Sequence, residues 1–113
     1  MSDASPPARP LDGLRVLELG QLMAGPFAGT ILGTFGAEVI KVEPPGGDPI
    51  RTWRVLDQGT SLWWRSLGRN KKCLSIDLKQ EAGRALVRGL AARSDVLIEN
   101  FRPGTLEAWG LDP

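Results

Sequence analysis

A chain that runs LRVLELGQLMAGPFAGTILGTFGAEVIKVE over Leu14–Glu43 has few folds open to it. The apolar run Arg15–Leu19 reads as a strand and Gly20–Gly25 as a turn. Pro26–Phe35 reads as a short helix rich in small residues, and Glu38–Glu43 as a second strand. About a dozen helix-compatible residues separate the two β-rich runs, too many for a hairpin, so the strands must lie parallel in a βαβ unit.

The turn between strand and helix carries the chemical interest. Pro26 fits the first helical position, where its missing N–H costs nothing, and the free amides there point back toward the carboxyl end of the strand. Such an end can receive an anion, or it can be an ordinary, tightly packed βα turn. Gly25, Gly29 and Gly33 recur on one helix face although each costs about 1 kcal/mol against alanine. Close approach of the helix to the sheet, or to a ligand, would offset that. Gly36 follows as the left-handed stop. Neither nucleotide motif fits. The dinucleotide fingerprint needs G-x-G-x-x-G, and a phosphate loop needs Lys and Ser/Thr where this chain has Pro26 and Phe27.

The rhythm then repeats. Pro44, Pro45, Gly46, Gly47, Asp48 and Pro49 break the second strand, and a long excursion runs to about Gly59. Thr60–Leu67 reads as a short helix and Cys73–Leu78 as a third strand, with Leu74, Ile76 and Leu78 on one face. Gln80–Arg93 reads as a helix burying Ala82, Leu86, Val87 and Leu90, with Arg84, Arg88 and Arg93 outward. Asp95–Glu99 is the fourth strand, and Thr105–Trp109 one more helical turn. The fold class is therefore α/β: a Rossmann-like wound sheet, mainly parallel, of about four strands. Ligands of such sheets collect at the carboxyl ends of the strands, here Gln21–Ala24, Glu43–Pro44, Asp77–Lys79 and Asn100–Arg102.

Composition removes several chemistries. At 113 residues the chain can bury roughly 60–70% of its unfolded surface, enough for one core. It has no histidine, so it cannot supply a Ser-His-Asp or Cys-His pair or the usual His-containing metal sites, and no metal is expected. Cys73, the single cysteine, excludes an internal disulfide and makes the cytoplasm the default compartment. With no histidine to activate it, its thiol is expected to be inert. A net charge of +1 gives no global attraction to nucleic acid or membrane, and no apolar run approaches the roughly 20 residues of a membrane span. Residues 1–10 lack the features of a secretory signal and read as a flexible lead to a domain over 11–113. Charge is nonetheless concentrated: Arg51, Arg54, Arg65, Arg69, Lys71 and Lys72 face Asp57 alone over 51–72, with Trp53, Trp63 and Trp64 interleaved. Single-stranded nucleic acid is a minor alternative for that segment.

Three blocks in order, LDGLRVLELGQLMAGPFAGTILGTFGAEVIKVEPPGGDPIR, RNKKCLSIDLK and SDVLIENFRPGTLEAWGL, closely resemble the start of the class III coenzyme A transferases. That family includes formyl-CoA transferase, carnitine-related CoA transferases and α-methylacyl-CoA racemase. The resemblance covers nearly all of Leu11–Leu111. It implies an N-terminal portion of a wound α/β domain in an interlocked homodimer, with CoA or acyl-CoA as substrate, a carboxylic acid as partner and no tightly bound cofactor. It places CoA against Met23 and Ala24 after the first strand and Pro44 after the second. Ile76, Asp77, Leu78 and Lys79 follow the third, and Asn100, Phe101 and Arg102 the fourth. On chemistry alone Lys79 could start a surface helix and Phe101 could be core.

The resemblance implies transfer of CoA between carboxylic acids through an aspartyl-CoA intermediate, with the nucleophilic aspartate beyond the last residue here and no catalytic residue within. Asp112 matches no catalytic motif. Two positions depart from common members, Pro44 and Ala108, where relatives place basic groups; Arg102, Lys71 and Lys72 are the cations available to compensate. Arg51, Arg54 and Arg65 suggest a small dicarboxylate, or simply a solvated basic loop. A racemase of the same family and a non-catalytic CoA-binding module are the alternatives.

Overall fold

The computed structural model describes residues 8–111. Four strands, β1 (Arg15–Glu18), β2 (Glu38–Glu43), β5 (Lys71–Ser75) and β6 (Val96–Ile98), form one sheet in the order β5-β2-β1-β6. Every pairing in it is parallel, with Val16 opposite Val39 on one side and Val96 on the other. The chain thus winds outward from β1 through β2 to β5, then crosses back to place β6 on the far side of β1. The order reverses between β1 and β6, which makes their carboxyl ends the switch point where wound sheets open a crevice.

The period of two along β1 explains why the centre is buried on both faces. Leu17 and Leu19 pack with Val42 and Val87, and this side is covered by α3 (Glu81–Ala92). Val16 points the other way, to Ala37, Val39 and Leu32 of α1 (Ala24–Thr34). The first helix begins two residues earlier than Pro26, which occupies its third position; the first turn lacks intrahelical acceptors throughout, so proline is tolerated there equally well. Its end is as expected. Gly36 has φ +110°, the Ala37 amide donates to the Leu32 carbonyl and the Gly36 amide to that of Gly33, both at 3.1 Å, the paired bonds of a Schellman stop.

The glycine stripe serves the sheet. A Cβ on Gly29 would collide with the carboxylate of Glu18, one on Gly33 would touch Val39 at 3.4 Å, and one on Gly25 would stand 3.2 Å from Asn100 Oδ1.

Two expectations need correction. The third strand is Lys71–Ser75, not Cys73–Leu78: one further ladder bond joins the Ile76 amide to the Glu43 carbonyl, and Asp77 then ends the strand by accepting the Lys79 amide at 3.0 Å. Two lysines at its start masked it, because lysine is depleted in strands. The buried stripe of α3 is Gly83 and Val87, with Leu90 and Ala91 half-buried, while Ala82 is exposed and Leu86 is 62% exposed. Glycine has no apolar side chain to mark a core position, yet a side chain on Gly83 would collide with the Asp77 carbonyl. Arg84 accordingly lies along the surface and donates to the Leu78 carbonyl at 3.0 Å.

The excursion after β2 is also structured. A 3-10 turn (Pro49–Thr52) leads to a small antiparallel hairpin, β3 (Leu56–Asp57) with β4 (Thr60–Ser61), and then to α2 (Leu62–Leu67), capped by Ser61 Oγ. The last helical turn is α4 (Thr105–Ala108). Of the N-terminal lead, residues 1–7 lie outside the described part, and Arg9 is tied to Asp12. No described helix is long and apolar enough to cross a membrane.

Candidate functional site

At the switch point, the Asn100 side chain bridges the ends of β1 and β6. Its Oδ1 accepts from the Gln21 amide and its Nδ2 donates to the Gln21 carbonyl, each at 2.9 Å. The next amide, Leu22, donates to both carboxylate oxygens of Asp48 at 3.1 and 3.2 Å. Leu22 has φ +65°, a conformation that costs a bulky residue on the order of 1–2 kcal/mol. Met23 is the N-cap of α1 and no side chain caps that end, nor does the first turn hold an acidic residue. The start of α1 therefore keeps the positive character of an uncapped helix N-terminus.

Beside this turn a groove of about 330 Å³ opens across the carboxyl ends of β2 and β5. Six of the ten expected residues line it: Pro44, Ile76, Asp77, Leu78, Lys79 and Phe101. Trp109 closes one side, edge-on to Phe101 with ring centroids 5.5 Å apart, so α4 supplies an aromatic wall. Lys79 is exposed and makes no ion pair among the described residues, leaving its ammonium free at the rim. Met23, Ala24, Asn100 and Arg102 do not line the groove. Met23 and Ala24 are exposed at the start of α1, and Arg102 is an exposed cation with no ion pair among the described residues. Asn100 spends its amide on Gln21.

Of the cations considered as substitutes near Ala108, only Arg102 remains. Lys71 is buried, with Nζ 2.8 Å from Glu18 Oε1 and donating to the Pro26 carbonyl at 2.7 Å. Lys72 pairs with Glu38 at 2.7 Å, at the opposite end of β2 from the groove. Arg51 and Arg65 are likewise engaged. Arg51 forks onto Glu43 at 2.6 and 2.7 Å and lies 3.7 Å over Trp64, and Arg65 pairs with Asp57 at 2.7 Å. Burial raises the Glu43 carboxyl, but the Arg51 guanidinium and the Asp48 amide outweigh it and hold Glu43 below the usual range. Arg54 stacks on Trp53 and has no carboxylate partner among the described residues. The aromatic faces of the 51–72 segment are thus covered in part by its own arginines. Burial pushes the Cys73 thiol up, with Glu43 adding to the effect, so little thiolate forms near neutrality.

The sequence reading missed the feature beneath the turn. Lys41 Nζ, fully buried, lies 2.8 Å from Glu18 Oε2 and 2.9 Å from Asp48 Oδ2, and it donates to the Gly20 carbonyl at 3.1 Å. With Lys71 this makes a balanced cluster of two cations and two anions between the sheet and α1. Burial disfavours the Lys41 ammonium, yet Glu18 and Asp48 outweigh burial and raise its pKa; for Lys71 burial prevails over Glu18 and lowers it. A signal existed. Glu18 in VLEL and Lys41 in VIKVE fall at the same inward phase as Val16 and Val39, where an unpaired charge could not be buried.

The sheet is wound and parallel, and the groove at its carboxyl edge is lined by apolar side chains together with the exposed cation Lys79. The profile of CoA-transferase family III matches residues 11–113, and the chain belongs to that family. It is 60% identical to succinyl-CoA--D-citramalate CoA-transferase of Chloroflexus aurantiacus, a match covering 98% of this chain and 28% of that protein. It is 48% identical to human succinyl-CoA:glutarate CoA-transferase, over 91% of this chain and 24% of that one. A solved CAIB/BAIF family protein from Brucella suis superimposes with a TM-score of 0.86 at 44% identity, covering 95% of this chain and 30% of that structure. The chain therefore spans about a quarter of the length of these curated relatives.

Proposed function

We propose that this chain supplies part of the acyl-CoA site of an enzyme that moves CoA between carboxylic acids. The observation that carries the reading is the groove, because it gathers Pro44, Ile76, Asp77, Leu78, Lys79 and Phe101 from three separate strand ends into one wall. Coenzyme A offers phosphates and an apolar thiol arm. Lys79 and Arg102 suit the phosphates, Ile76, Leu78 and Phe101 suit the arm, and Met23 and Ala24 present the uncapped start of α1.

In this reading an aspartate outside these residues attacks the acyl-CoA thioester, forming a mixed anhydride and releasing CoA thiolate. The thiolate attacks the aspartyl carbonyl, freeing the acyl carboxylate and leaving an aspartyl-CoA thioester for the second acid to repeat the exchange. The groove orients the carrier during these steps, an entropic contribution. The names of the relatives, which pair succinyl-CoA with citramalate or glutarate, favour small dicarboxylates as the acids. An interlocked homodimer and a cytoplasmic setting, where Cys73 stays reduced, fit the same reading.

The test is to incubate the full-length enzyme with succinyl-CoA and citramalate, malate or glutarate and follow the new CoA thioester by chromatography. CoA transfer, slowed about tenfold by Lys79→Ala at low acyl-CoA, supports the assignment. Exchange of the α-proton without movement of CoA refutes it in favour of a racemase, and CoA binding with neither reaction refutes it in favour of a binding module.

A further inference from the structure

The ionic cluster under the β1–α1 turn has no part in the chemistry above, yet it bonds three peptide groups of that turn, at Gly20, Leu22 and Pro26. We infer that Asp48, Lys41, Glu18 and Lys71 are positioning residues that hold Gly20–Pro26 in the conformation that meets the carrier. This inference rests on the CoA-site reading.

The bonds run in sequence along the turn. Lys41 takes the Gly20 carbonyl at 3.1 Å, Asp48 takes the Leu22 amide with both oxygens, and Lys71 takes the Pro26 carbonyl at 2.7 Å. Leu22, between them, sits at φ +65°, a conformation that a leucine does not hold unless its surroundings impose it. Asp48 is itself immobilised. Its Oδ2 lies 2.9 Å from Lys41 Nζ, its Oδ1 accepts the Ile50 amide at 3.0 Å, and its own amide donates to Glu43 Oε1 at 2.8 Å. Glu43 lines the groove next to Pro44, so one carboxylate couples the β1–α1 turn to the opposite wall.

Stability alone does not account for such an arrangement, because well-packed apolar side chains commonly equal or surpass a buried ion cluster in that role. What charged groups supply here is direction, since each ammonium and carboxylate fixes several backbone groups at once. Gly29 is the structural counterpart. Its missing side chain leaves room for Glu18 under α1.

The decisive variant is Asp48→Asn in the full-length enzyme, which keeps the shape and one acceptor but removes the charge facing Lys41. Three readouts separate positioning from bulk stability: KM for acyl-CoA, KM for the acceptor acid, and amide exchange of the peptide 20–24 relative to β1. The expected result is a rise of at least tenfold in KM for acyl-CoA and in the Kd of free CoA, no change in KM for the acid, and exchange at 20–24 at least tenfold faster with β1 still protected. Lys41→Arg retains the charge, but a planar fork cannot serve Glu18, Asp48 and Gly20 together, so it shows the same split at about threefold. A fall in thermal midpoint with unchanged CoA affinity in both variants overturns the inference while leaving the CoA site standing. Failure of the unmodified enzyme to bind CoA overturns the site reading instead, and exchange at 20–24 then still decides whether the cluster holds the turn.

Discussion

Replacing Lys41 by methionine tests the buried cluster most severely. Methionine matches the stem of lysine in length, so packing along β2 changes little and the loss is electrostatic. Without the ammonium, Glu18 Oε2 and Asp48 Oδ2, now 2.8 and 2.9 Å from it, face each other's charge with no solvent to screen them, and the Gly20 carbonyl loses its donor. Breaking a buried pair by removing one partner costs about 3–5 kcal/mol. With a urea m-value of roughly 1–3 kcal/mol/M, that loss lowers the denaturation midpoint by about 1–5 M. Adding Glu18→Gln to Lys41→Met removes one stranded anion, and the double variant should be more stable than the sum of the single effects by at least about 1 kcal/mol. The measurement is a urea titration of the four proteins by tryptophan fluorescence. A Lys41→Met midpoint within about 0.3 M of the parent, or strictly additive losses, would refute the claim that these charges are buried and coupled.

The two glycines of the helices that differ most in surroundings should respond with opposite signs. Gly29→Ala meets the pinned Glu18 carboxylate and loses about 2 kcal/mol or more despite better helix propensity, whereas Gly89→Ala, with nothing near its added methyl, gains up to about 1 kcal/mol; thermal midpoints of the two variants check this. The Glu43 carboxyl is lowered in the fold, so the stability it contributes is present above its ordinary value of 4.5 and disappears as pH falls through the lowered one; Arg51→Ala should move acid unfolding to higher pH, read by far-UV circular dichroism. Lys41 has the opposite sign: its pKa is raised above 10.5, so its contribution is complete below 10.5 and is lost only as pH rises beyond, which predicts base unfolding that is absent from Lys41→Met in the same assay. In the groove, Lys79→Ala should raise KM for acyl-CoA about tenfold with kcat little changed, because an exposed rim cation binds the phosphates in ground and transition states alike; initial-rate kinetics settle it.

The parallel βαβ unit was legible in the sequence, because the β-rich runs Arg15–Leu19 and Glu38–Glu43 and the small-residue helix between them are local patterns. Gly36 as a stop and Asp95–Glu99 as a strand were equally legible. Boundaries slipped where a local rule competed with another: Lys71 and Lys72 hid the start of β5, and Gly83 disguised the packed face of α3. The strand-end residues Pro44, Ile76–Lys79 and Phe101 could be named from the sequence, but that they form one wall depends on the order β5-β2-β1-β6. Tertiary structure alone decided which charges are free. Lys71, Arg51 and Arg65 look alike as letters, yet their partners Glu18, Glu43 and Asp57 are 53, 8 and 8 residues away, and only folding shows that they are occupied while Lys79 and Arg102 have no ion-pair partner among the described residues. An ion pair depends on distance through space in a medium of low dielectric, and the chain encodes that distance only through the packing of all its elements together.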